Sequence, residues 1–151
     1  MAYLKTLNIN PYSTWYAQQK SFFNFYSYDS SLPYIHMKTN VIAYPTIDMW
    51  MIEAVGYSFA LGQSIRCAWT WYTYPPYTPN EIIGVGLESV YPGMTAHGVY
   101  KSSDGYVCLR GYCTGFYYTG FLLNGYPTRV GEGRMISITA YAQNNTSGSH
   151  Y

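Results

Sequence analysis

Ser102-Ser-Asp-Gly-Tyr-Val-Cys-Leu-Arg-Gly111, Thr119-Gly-Phe-Leu-Leu-Asn-Gly125 and Met135-Ile-Ser-Ile-Thr-Ala-Tyr141 decide the fold class of this 151-residue chain. Each run is short, rich in β-branched and aromatic residues, and bounded by Gly, Asn, Asp or Pro. That is the pattern of antiparallel strands joined by tight turns. Asp104-Gly105 and Asn124-Gly125 read as the turns, because Asn or Asp followed by Gly tolerates positive φ. In the third run Ile136, Ile138 and Ala140 alternate with Ser137, Thr139 and Tyr141, which predicts one buried and one polar face. The expectation is the second half of a β-sandwich.

The rest of the chain repeats the pattern. Tyr34 to Ala43 reads as a strand, followed by a turn at Tyr44-Pro45-Thr46. In Met49 to Tyr57, Trp50, Ile52 and Ala54 alternate with Met51, Glu53 and Val55, and Glu53 should face water, which turns Trp50 and Ile52 toward the core. In Ile65 to Tyr72, Arg66 points out, so Ile65, Cys67, Trp69 and Trp71 point in. The Tyr74-Pro-Pro-Tyr-Thr-Pro-Asn80 loop breaks pairing, since proline cannot donate to a ladder. Ile82 to Val90 and Gly98 to Lys101 complete roughly eight strands, and no helical period is sustained. The fold expected is all-β: a single-domain antiparallel β-sandwich, jelly-roll-like. Residues 1–32 are weakly patterned and read equally as an N-terminal arm or as a first strand. Within them Tyr16 to Phe25 fits a short helix or an aromatic strand, and the sandwich occupies 33–151.

Composition narrows the function. Charged residues make up 10% of the chain, with net charge +1 and twenty tyrosines, against about 25% charged in ordinary soluble domains. A surface this poor in charge is weakly protected against self-association. A basic cluster for nucleic acid is missing, as is an apolar run long enough to span a membrane. The first residues lack the charged-then-apolar order of a signal peptide. Three cysteines, Cys67, Cys108 and Cys113, are not a disulfide framework and fit synthesis in a reducing cytoplasm.

Tyr34-Ile-His-Met-Lys-Thr-Asn40, Met49-Trp-Met-Ile-Glu-Ala-Val-Gly-Tyr-Ser-Phe59 and Ser103-Asp-Gly-Tyr-Val-Cys-Leu-Arg110 together resemble a β-sandwich domain of bacteriophage tail-fibre and accessory virion structural proteins. The likeness covers roughly Tyr34 to Tyr141. It implies a non-enzymatic virion protein, made in the host cytoplasm and assembled as a homo-oligomer (a trimer among the forms) in a capsid, collar or tail. Its implied partners are copies of itself, other virion proteins and, in the alternative of a fibre tip, a host-surface glycan.

The residues themselves offer little chemistry. His36, Lys38 and Asn40 share one strand face, and the expected role is structural, with Lys38 and Asn40 bonding a loop or a neighbour. His36, His97 and His150 lie in separate segments without metal spacing, and no cofactor is expected. Cys108 and Cys113 read as small buried thiols rather than zinc ligands or a disulfide. The seven acids form no evident pair for glycan hydrolysis. Aromatic residues carry the functional reading: Tyr72, Tyr74, Tyr77, Tyr117 and Tyr118 flank Pro and Gly turns, where a tyrosine offers ring contact and a hydroxyl at low entropic cost. These five are the candidate interface or ligand-binding residues.

Overall fold

The strand signals resolve into eleven β-strands in the computed structural model, which describes residues 2–3, 7–9, 19–25, 31–43, 48–73, 82–116, 118–127 and 136–151. In chain order they are β1 (Ala2–Tyr3), β2 (Leu7–Ile9), β3 (Gln19–Phe25), β4 (Tyr34–Ile42), β5 (Asp48–Ser58) and β6 (Gln63–Thr73). Then follow β7 (Ile83–Pro92), β8 (Thr95–Lys101), β9 (Tyr106–Tyr112), β10 (Thr119–Pro127) and β11 (Ile136–Asn144). The segment read as helix or strand near residue 20 is therefore strand β3. No helix among the described residues is long and apolar enough to cross a membrane.

The pairings nest around the β5–β6 turn. β5 pairs β6, β4 pairs β9, β3 pairs β10 and β2 pairs β11, every one antiparallel. Cross-pairings of β11 with β4 and of β10 with β5 roll this long double ribbon into two sheets. Their orders are β1-β11-β4-β9-β8, with β2 also on β11, and β3-β10-β5-β6-β7. Eight nested strands in two facing sheets are a jelly roll. The β7–β8 hairpin is inserted between the fifth and sixth strands of that plan, β6 and β9. Its strands splay, β7 extending one sheet beyond β6 and β8 extending the other beyond β9.

The core lies where the predicted inward faces meet. Trp50, Ile52, Ala54, Ile65, Cys67, Trp69 and Trp71 from β5 and β6 pack with Ile35, Met37, Val107, Leu109, Ile136 and Ile138 of the facing sheet. Trp69 also joins the sheets by a hydrogen bond, its Nε1–H donating to the Arg110 carbonyl at 2.9 Å. Trp50 and Trp71 face each other across the β5–β6 ladder, and their indole N–H groups find no acceptor among the described residues. The Cys67, Cys108 and Cys113 thiols are buried and free.

Two local readings need correction. Asp104-Gly105 does turn the chain between β8 and β9: Gly105 sits at φ +92°, and Ser102 Oγ donates to Asp104 and accepts from Tyr106 N–H. Asn124-Gly125 does not turn. Both lie inside β10, opposite Glu53 and Ile52 on one side and Lys20 and Gln19 on the other. With a partner strand along each edge, the ladder holds the backbone extended and overrides the local turn preference. In β11 the alternation fails after Ile138. A bulge between Ile138 and Ala140 adds a residue, so Tyr141 rather than Ala140 enters the core.

The indole bond between the sheets separates two otherwise similar tryptophans. Trp69→Phe is expected to cost about 1 kcal/mol more than Trp71→Phe, because only the former strands a buried carbonyl. Trp69→Ala is expected to cost about 3–5 kcal/mol. Urea unfolding midpoints measure both. Equal costs for the two Phe variants would show that the bond to Arg110 adds nothing to stability.

Candidate functional surface

The outward positions of β5, β6 and β7 form one face. Cross-strand register puts Val55, Arg66 and Tyr91 in one row and Glu53, Ala68 and Glu88 in the next. Of the eleven exposed large apolar or aromatic residues among those described, only Ile42 lies on the other sheet; the rest belong to β5, β6, β7 and the turns beside them. Tyr57 (51%), Phe59 (60%), Leu87 (46%) and Val90 (53%) keep about half of their surface in water. Leu87 and Val85 face inward by register, yet remain exposed because β7 stands at the sheet edge. An edge strand bearing one charge, Glu88, is an unguarded place for another chain. Bulges near Gly84 and Val90 interrupt its ladder, so side-chain packing rather than long strand addition suits this edge.

Charge is concentrated at the centre of the face. Arg66 Nε lies 3.9 Å from Glu53, a loose pair in which Arg66 is exposed and Glu53 half-buried. Glu88 stands across Ala68 from Glu53, two strands or about 10 Å away. Met51, Glu53, Arg66, Ala68, Glu88 and Val90 line a shallow depression there. Two carboxylates that seemed unrelated in sequence thus share a row. They sit on an open sheet face with one already tied to Arg66, which suits contact with a partner better than enclosed acid–base work.

Tyr72 and Tyr118 are the two predicted site residues that the structure describes; Tyr74, Tyr77 and Tyr117 lie outside the described residues. Tyr72 is on strand β6 rather than in a loop, paired with Ile83, and its ring covers Gly84, where a Cβ would sit 1.9 Å from Cε1. Tyr118 occupies the turn before β10 at φ +49°, and its ring meets Phe59 edge-on at 6.0 Å. The two tyrosines are exposed, but they belong to opposite ends of the face. Met49, Val55, Tyr57 and Tyr91 carry more of the exposed surface and were not singled out by turn chemistry. Their signal was present in β5, whose outward positions other than Glu53 are apolar or aromatic as well as its inward ones.

The outer face of the other sheet is closed by the chain itself. Residues 145–151 run across β4, β9 and β8 without regular structure. His36 is fully buried beneath them. Its Nε2–H donates to the Thr146 carbonyl at 2.9 Å, so Nδ1 accepts from the Tyr100 hydroxyl at 2.8 Å. That hydroxyl in turn accepts from His150 N–H. Ser103 N–H donates to the Tyr151 carbonyl. Lys38 pairs with Asp104, and Asn40 accepts from Ser137 N–H, so both bond within their own chain. All three histidines gather on this face. Among the described residues, no three His, Cys, Asp or Glu side chains are placed to hold a metal.

Burial sets the titration of these groups. It depresses His36 to about 4, with His150 and Arg110 adding in the same sense and the bond to Thr146 opposing. It raises Cys67 and Cys108 to about 12, so both thiols stay protonated at neutral pH and act as packing groups. Comparison with family models, with curated proteins and with solved structures gives no match.

A neutral histidine under the closing segment makes stability depend on acidity in one direction. Above pH 6.5 His36 is neutral folded and unfolded and contributes no slope. Below it the unfolded chain takes up the proton first, so stability falls from pH 6.5 toward about 4, by at most about 1.4 kcal/mol per pH unit. Denaturation midpoints between about pH 7 and about pH 5 should decline, and His36→Gln should flatten most of that decline. An unchanged slope in the variant would place the effect elsewhere.

Proposed function

We propose that this chain is a non-enzymatic assembly subunit that packs against copies of itself through the outer face of β5, β6 and β7. Given the resemblance carried by Tyr34–Asn40, Met49–Phe59 and Ser103–Arg110, the assembly is a bacteriophage virion, and the chain a component of its capsid, collar or tail. One observation carries the reading: the two outer faces are treated oppositely. One is sealed by residues 145–151, whereas the other leaves Met49, Val55, Tyr57, Tyr72, Val90 and Tyr91 in water, with Phe59 and Tyr118 in the turns beside it. Exposed apolar area on this scale marks an interaction surface. A chain with 10% charged residues has little else to keep such a face apart from its copies. The central Glu53, Arg66 and Glu88 supply register rather than much affinity, since exposed pairs contribute at most about 1 kcal/mol.

Light scattering on the purified chain is expected to show an oligomer. Val55→Glu combined with Tyr91→Glu should convert it to a monomer with unchanged β-sheet circular dichroism. Both new carboxylates flank Arg66 in its row, so the fold tolerates them. A wild-type chain that is monomeric at about micromolar concentration would overturn the reading. So would a double variant that still assembles. If Tyr72→Ala and Tyr118→Ala leave assembly intact and abolish adsorption to host cells, the fibre-tip alternative replaces it.

A further inference from the structure

Arg110 projects from β9 onto the sealed face, between His36 on β4 and Gly98 on β8. Its guanidinium lies across Gly98, where a Cβ would stand 2.5 Å from Nη2 and 3.1 Å from Cζ. Nε donates to His97 Nδ1 at 2.9 Å, and Nη1 donates to the Gly148 carbonyl. These two bonds fix the guanidinium plane. Three of its five N–H groups remain for another acceptor. No carboxylate among the described residues lies within ion-pair distance of it. Arg110 is thus a positioned cation without an acid partner among the described residues, its guanidinium lying 5.8 Å from the Tyr100 ring centre.

The surroundings add directionality. Because His97 Nδ1 accepts from Arg110, the proton of the neutral ring is on Nε2, facing away from Arg110. Burial and the Arg110 charge both lower the acidity range of His97, which favours this neutral form. The His97 ring meets Tyr34 edge-on at 5.1 Å and lies 6.2 Å from Tyr112, and the two tyrosines are tilted at 5.2 Å from each other. All three rings and Arg110 are half-buried. Rings that meet edge-on and tilted leave no parallel slot for a flat aromatic guest. They present ring flanks and the His97 Nε2–H, on a ring bonded to a cation.

We propose that Arg110, His97, Tyr34 and Tyr112 form a binding site for an oxyanion-bearing sugar. The acid group pairs with the Arg110 guanidinium, which suits carboxylate and phosphate alike. Sugar hydroxyls bond His97 Nε2–H and the tyrosine hydroxyls, and a C–H face of the sugar rests on a tyrosine ring. This site is on the sheet opposite the assembly face and does not depend on assembly.

The test is ligand-observed NMR on the full chain with glucuronate, glucose 6-phosphate, glucose, acetate and inorganic phosphate. Glucuronate or glucose 6-phosphate should bind at about 10 mM or tighter, and glucose about tenfold more weakly. Whichever acidic sugar binds better identifies the oxyanion. Arg110→Gln should abolish the preference over glucose. Arg110 also holds Gly148, so His97→Gln and Tyr112→Ala, whose hydrogen bonds and ring contacts lie with Arg110, Tyr34 and each other, provide the independent check. Each should weaken the acidic sugar severalfold with unchanged circular dichroism, while Leu87→Ala on the other sheet should not. Equal binding of glucose, binding of acetate or phosphate as tight as the sugar acids, or no binding of either sugar acid would overturn the proposal.

Discussion

Ile52 faces Trp69 across the β5–β6 ladder, and this register decides how two eleven-residue strands present their side chains. A slip of one residue would turn Trp50, Ile52, Trp69 and Trp71 to water and bring Glu53 and Arg66 inside. The cost of burying two unshielded charges and exposing four large side chains makes the alternative inaccessible. The β4–β9, β3–β10 and β2–β11 pairings nest outside this hairpin, so its register propagates outward through them. The Trp69 indole bond to the Arg110 carbonyl then ties the hairpin to the opposite sheet.

The inserted β7–β8 hairpin changes what an eight-stranded jelly roll offers. By splaying, it lengthens both sheets on the same side and leaves β7 with inward-facing Val85 and Leu87 beyond full cover of the other sheet. The chain treats its two broad faces differently for a related reason. Residues 145–151 return over β4, β9 and β8 and satisfy the polar groups there, including a histidine with no access to water. Nothing among the described residues returns over β5, β6 and β7. Apolar surface left this way is stabilised by whatever covers it, which links the packing of one chain to the proposed assembly of many.

The buried groups reinforce a packing role. Cys67 and Cys108 are held as neutral thiols by burial, and Tyr100 is pushed up to about 12 by the same cause. His36, held neutral, spends both ring nitrogens on hydrogen bonds within the chain. These are groups whose reactivity has been given up for satisfied contacts. Arg110 stands apart from them as a fixed cation with unused donors.

Period and turn chemistry were legible in the sequence. The inward faces of β5 and β6 followed from single charges, Glu53 and Arg66, and the β8–β9 turn followed from Asp104-Gly105, since both depend only on residues a few positions apart. The sandwich class and the shared core of Trp50, Ile52, Trp69, Ile136 and Ile138 came from the same local evidence. What surrounds a segment was not legible. Asn124-Gly125 became strand because β3 and β5 flank it, and Tyr72 became a strand residue because β7 pairs beyond it. The Glu53–Glu88 row and the meeting of Tyr34, His97, Arg110 and Tyr112 likewise arise from pairings between distant segments. Local pattern fixes how a strand presents its side chains, but only tertiary pairing decides which strand, or which absence of one, they meet.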